Sequence, residues 1–82
     1  MKLWHISQTV NNSYDTYDAA IVAAETEGEA RAIHPSGHND GWEEDGSRPW
    51  NWALPAEVTA TYIGESADGT QPGVILASFN AG

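Results

Sequence analysis

Apolar and polar residues alternate loosely from Lys2 to Val10. Trp4, Ile6 and Val10 fall on one face, and Leu3, His5, Ser7 and Thr9 on the other, which predicts a half-buried strand. A polar, turn-forming stretch follows, Asn11-Asn12-Ser13-Tyr14-Asp15-Thr16-Tyr17-Asp18, which nonetheless holds two tyrosines. The short apolar run Ala19-Ala20-Ile21-Val22-Ala23-Ala24 fits a buried central strand by its length. Next, Thr26-Glu27-Gly28-Glu29 fits a capping box: Thr26 is the N-cap and the Glu29 side chain reaches back to its amide. The helix it opens is about two turns long and turns Ala30, Ile33 and His34 toward the sheet. Pro35 and Gly37 end it.

Residues 36 to 55 break the periodicity. They mix Ser, Gly, Asn, Asp and Pro with three tryptophans and read as a long ordered loop, with a helical turn near Trp42 to Asp45. Regular alternation returns in Glu57 to Ile63, where Val58, Ala60 and Tyr62 oppose Thr59, Thr61 and Ile63. A turn region with Asp68-Gly69 and Pro72 leads to a last strand over Val74 to Phe79. The expected architecture is therefore α+β, one domain over residues 1–82. Four mostly antiparallel strands in ββαββ order form one layer, with one short helix across them and a long Trp-rich loop. The pattern leaves the strand order open.

Size and charge then narrow the chemistry. A domain of 82 residues buries only about 60–65% of the surface its unfolded chain exposes. Its stability thus leans on a few large side chains among its 8 aromatics. For Trp50 and Trp52, with Leu54 and Pro49, the favoured place is the core, as a lid over the open sheet face. Trp42, flanked by Gly41, Glu43, Glu44 and Asp45, is instead the candidate for an exposed interface anchor. Without cysteine there is neither a disulfide framework nor thiolate chemistry. The first residues lack the apolar run of a signal peptide, which points to a cytoplasmic protein.

Twelve acids against three bases give a formal net charge of −9. Such a surface repels nucleic acid and anionic membranes and attracts partners with basic surfaces. Acidic charge also serves plain solubility.

Motifs for chemistry are weak. His34, His38 and Asp40 have ligand types at a zinc-like spacing, but Pro35 and Gly37 keep the two rings off a common helical face. Asp40, Glu43, Glu44 and Asp45 lack the alternation of a calcium loop, so neither a metal nor any other cofactor is expected. Pairs such as His5 with Asp15 or Asp18 arise by chance in an acidic chain, and no nucleophile stands at a recognisable distance from a base. The expectation is a protein that is not an enzyme. Tyr14 and Tyr17 suit a recognition surface, because a tyrosine offers an apolar face and a hydroxyl at low entropic cost. They could equally close the edge of a small core while Asp15 and Asp18 cap turns.

The stretch YDTYDAAIVAAETEGEARAIHP, the spaced tryptophans ahead of a proline and the terminal GVILASFNAG together resemble a family of small phage- and prophage-encoded proteins. Members share a Tyr-Asp-Thr-Tyr-Asp-x-Ala stretch, an Ala-x-x-Glu-Glu-Ala-type helix start and a C-terminal Ser-Phe-Asn-Ala-Gly. Here Gly28 departs from the helix-forming residue expected in the first turn. The resemblance implies origin and no activity. Inhibitors of bacterial defence, including anti-CRISPR and anti-restriction proteins, are similar in size and charge, and some place carboxylates where phosphates would sit. The expected function is inhibition of a host defence or nucleic-acid-handling complex with a basic surface. Tyr14, Asp15, Tyr17, Asp18, Asp40, Trp42, Glu43, Glu44 and Asp45 would make the contacts. The alternative is a protein that sequesters a nucleotide or metabolite in an aromatic-lined pocket, which would need Lys2, Arg31 and Arg48 to converge on an anion. A homo-oligomeric structural accessory is the third reading.

Overall fold

The computed structural model describes residues 1–11, 16–36 and 52–80. Four strands form one antiparallel sheet: β1 (Lys2–Ser7), β2 (Thr16–Ala24), β3 (Thr59–Glu65) and β4 (Gly73–Asn80). A short helix, α1 (Glu27–Arg31), and a single 3-10 turn (Pro55–Glu57) lie between β2 and β3. The fold is α+β. The order across the sheet is β3-β1-β2-β4, so the first two strands are central and the last two are edges.

β1 and β2 pair so that Trp4 faces Val22 and Ile6 faces Ala20. On the other side of β1, Trp4 is opposite Tyr62 and Ile6 opposite Ala60. Of these, Trp4, Ile6, Ala20 and Val22 join Ala24, Ala30, Trp52, Ala53 and Val58 in a core cluster, Ala60 packs against it, and Tyr62 is half exposed. Val10, expected on this face, lies beyond the end of β1 and is 45% exposed. Trp52 is fully buried, as its lid role requires, whereas Trp50 lies outside the described residues. The Trp4 indole donates to the Ala24 carbonyl at 3.0 Å, and its ring meets Tyr62 edge-on at 5.7 Å.

The helix is shorter than the pattern predicts, at five residues, and ends at Arg31. Thr26 caps it by accepting from the Glu29 amide at 3.2 Å, and Arg31 pairs with Glu27 at 3.3 Å. Gly28 in the first turn and Pro35 beyond the last leave it little length to propagate. Packing holds it instead: Ala30 is fully buried and Ile33 lies against the core.

Two strands begin elsewhere than the alternation indicates. β2 starts at Thr16, because a bulge between Tyr17 and Ala19 hides its period. That bulge puts Tyr17 on the core side and leaves Asp18 exposed. β3 starts at Thr59, after Pro55 opens the 3-10 turn and the Leu54 amide donates to the Glu57 carboxylate at 3.0 Å. The connection from β3 to β4 is not a hairpin. It runs past the start of β1, where the Met1 carbonyl accepts from both the amide and the hydroxyl of Ser66 at 2.8 Å. Within it, Gly69 takes φ of 84° in a turn closed by the Thr70 amide on the Ala67 carbonyl. Only glycine adopts that conformation without strain.

Candidate functional site

Gln8 sits just past β1, in a place where alternation predicts a buried side chain, and it is 4% exposed. Its amide is fully employed. Nε2 donates to the carbonyls of Asn11 at 2.8 Å and Tyr17 at 2.9 Å, and Oε1 accepts from the Asn11 amide at 2.8 Å. The Gln8 backbone amide adds a bond to the Asp18 carbonyl at 3.2 Å. One side chain thus clamps both stems of the connection that carries Tyr14 and Asp15.

The same end of the sheet holds the stems of the tryptophan-rich segment. Asn11 Nδ2 donates to the Trp52 carbonyl at 3.0 Å, which ties the first connection to the residue where the second one ends. Where that second segment begins, His34 is buried, and its Nδ1 accepts from the Ser36 amide at 3.1 Å. Tyr17 lies between the parts, its ring edge-on to His34 at 6.0 Å and to Phe79 at 4.8 Å. The described residues that flank the two candidate recognition segments therefore touch one another. Tyr14, Asp15, His38, Asp40, Trp42, Glu43, Glu44 and Asp45 themselves lie outside the described residues.

Of the contact residues expected from sequence, two are described. Tyr17 is half-buried and packs against the core, while Asp18 is exposed and accepts from the Ser78 hydroxyl at 3.3 Å. His34, weighed above as a metal ligand, has one ring nitrogen committed to the Ser36 amide. Arg31 faces Glu27, and Lys2 is exposed at the start of β1. Sequence reasoning missed Gln8 altogether, because its partners are backbone groups of Asn11 and Tyr17, which no side-chain pattern marks. It also passed over the exposed acids Glu25, Glu27, Glu29, Glu65 and Asp68, which add to Asp18.

The opposite face of the sheet carries an open groove of about 360 Å³ lined by His5, Ala19, Ile21, Leu76 and Ser78. No Trp or Tyr lines it. On β3, the Tyr62 hydroxyl donates to Glu65 at 2.9 Å. That bond, reinforced by desolvation and the carboxylate charge, raises the phenol above its ordinary value of 10.0. Among the described residues, no helix is long and apolar enough to cross a membrane, and no three His, Cys, Asp or Glu gather as a metal site would need. No protein-family model, curated protein or solved structure matches this chain.

Proposed function

We propose that the chain is a non-enzymatic binding protein of phage type that inhibits a host defence or nucleic-acid-handling complex. It acts in the host cytoplasm, and its acids meet a basic surface on the target. The observation that carries this reading is uncompensated charge. The chain has a net charge of −9, and among the described residues Glu27 pairs with Arg31 and Glu65 with the N-terminal ammonium. Six described acids are exposed: Asp18, Glu25, Glu27, Glu29, Glu65 and Asp68. Such charge accelerates encounter with a basic groove and can occupy positions meant for phosphates.

In this reading Trp42 is an anchor of the recognition surface, with its sequence neighbours Asp40, Glu43, Glu44 and Asp45 as charged contacts. Tyr14, Asp15, Tyr17 and Asp18 form the second half of the contact surface. The joined stems described above support that pairing, because they bring the roots of both segments to one end of the sheet.

Affinity capture from host lysate, followed by binding measurements on the captured complex at about 50 and 500 mM salt, tests the proposal. The expected affinity falls steeply with salt, and reversing Glu43, Glu44 and Asp45 to Lys abolishes binding. Binding that ignores both changes would sink it.

A further inference from the structure

The connection from β3 to β4 carries two residues that can react with each other. Asp68 and Gly69 stand side by side in its turn, and both are exposed. Among the described residues, neither the Asp68 carboxylate nor the Gly69 amide has a hydrogen-bond or ion-pair partner. Outside its chain neighbours, no heavy atom lies within 4 Å of where a Cβ on Gly69 would stand. An unhindered backbone nitrogen thus follows directly on an unengaged side-chain carboxyl. The same Asp-Gly pair recurs at 40–41 and 45–46, outside the described residues.

We propose that Asp68 is a modification site, where the chain converts aspartate to isoaspartate by itself at a rate set by the Ala67–Thr70 turn. The Gly69 nitrogen attacks Cγ of the Asp68 carboxyl in its acid form. The new N–Cγ bond closes a five-membered succinimide, and a water leaves, made of the carboxyl hydroxyl and the amide hydrogen. Water then adds back at either ring carbonyl. Opening at Cγ restores aspartate. Opening at the main-chain carbonyl breaks its bond to the Gly69 nitrogen and leaves isoaspartate, whose main chain is longer by a methylene. No oxidant, metal or second substrate enters.

An Asp-Gly pair can react in this way in any unfolded chain, so here the fold decides the rate. Ring closure brings the Gly69 nitrogen into line with Cβ about the Cα–C bond of Asp68. In a β-turn whose third residue is left-handed, as Gly69 is at φ of 84°, that torsion stands away from closure. Reaction therefore waits for the turn to open. Two hydrogen bonds resist opening, both accepted by the Ala67 carbonyl: one from the Thr70 amide at 3.2 Å and one from the Thr70 hydroxyl at 2.7 Å. Ser66 is tied to the Met1 carbonyl and Gly73 pairs with Ala23, so the added methylene enters a connection anchored at both ends. The α-carboxylate that isoaspartate exposes is the group that protein-isoaspartate carboxyl methyltransferases esterify, which gives the converted chain a class of partner.

This inference does not rest on the proposed function. In the test, the intact chain is aged at physiological temperature, folded in buffer or unfolded in guanidinium, and then cut after glutamate. The peptide from Ser66 onward holds Asp68 as its sole aspartate, and electron-transfer fragmentation counts the isoaspartate in it. The expected result is isoaspartate that accumulates at position 68 in the folded chain, more slowly than in the unfolded one. Thr70→Val removes the hydroxyl bond and should raise the folded rate roughly two- to tenfold, the worth of one such bond, with the unfolded rate unchanged. Thr70→Ser keeps the hydroxyl and should stay near the parent, and circular dichroism confirms that both variants fold. An Asp68 that stays unconverted in the folded chain overturns the inference, since the turn then excludes the reaction. So does a folded rate equal to the unfolded one, or a Thr70→Val rate equal to the parent's, because either removes the turn as the gate.

Discussion

Two tryptophans in the same core satisfy their indole N–H groups differently. Trp4 donates to the Ala24 carbonyl, whereas Trp52 Nε1 is buried with no partner among the described residues. Trp to Phe leaves a cavity worth about 1 kcal/mol in either place. At Trp4 it also strands a buried acceptor, for a further cost of about 1–3 kcal/mol; at Trp52 it removes an unsatisfied donor of similar cost. Denaturant melts of Trp4→Phe and Trp52→Phe should therefore differ by at least about 1 kcal/mol, with Trp52→Phe close to the parent. Tyr62 provides a second check. Its neutral form is favoured in the fold, so its contribution is present below pH 10 and is lost as pH rises through the raised folded value. Absorbance titration of the phenolates in the parent and in Glu65→Gln should show Tyr62 titrating late in the parent and returning toward its ordinary range in the variant.

Among the described residues Thr26 is the side-chain cap of α1, and a helix of five residues has little else beyond the Arg31–Glu27 pair to hold it locally. Thr26→Ala should cost about 1 kcal/mol, read as a fall of roughly 4–8 °C in Tm. Gln8→Leu keeps the volume but removes three hydrogen bonds, so it should cost more than the cap, and hydrogen exchange at Asn11 should accelerate with it. These two sites also mark how far the elements were legible. Thr26 announces itself through Glu29 three residues on, and Val58, Ala60 and Tyr62 announce β3, because both signals are local. Gln8 looks like any polar residue in a strand, since its meaning lies in the Tyr17 carbonyl across the turn. The bulge at Asp18 is concealed for a related reason: it exists only relative to β4, and it decides that Tyr17 faces the core.

The order β3-β1-β2-β4 could not be read from local pattern at all, because each edge strand joins a partner far back in the sequence. The apolar run of β2 pointed to a buried central strand; β2 is central, with Ile21 half-buried on its outer side. Charge was legible as a total, and its distribution was not. Among the described residues the fold concentrates exposed acids around α1 and the strand ends, Asp18 meeting Ser78 near the start of β2. Reversing Glu25 and Glu29 to Lys therefore changes the field on one side only. It should weaken capture of a basic target while leaving the melting temperature within a few degrees, as expected of exposed positions.

The central hairpin has a further consequence during synthesis. β1 and β2 emerge before β3 and β4, which close their outer edges, and can pair at once. Until then the nascent hairpin offers two open backbone edges and the apolar side chains of Trp4, Ile6 and Val22 to whatever is near. Chaperone dependence should thus be a property of translation speed in this protein: slowing the ribosome over the second half of the message lowers the soluble yield, and the purified chain refolds unaided.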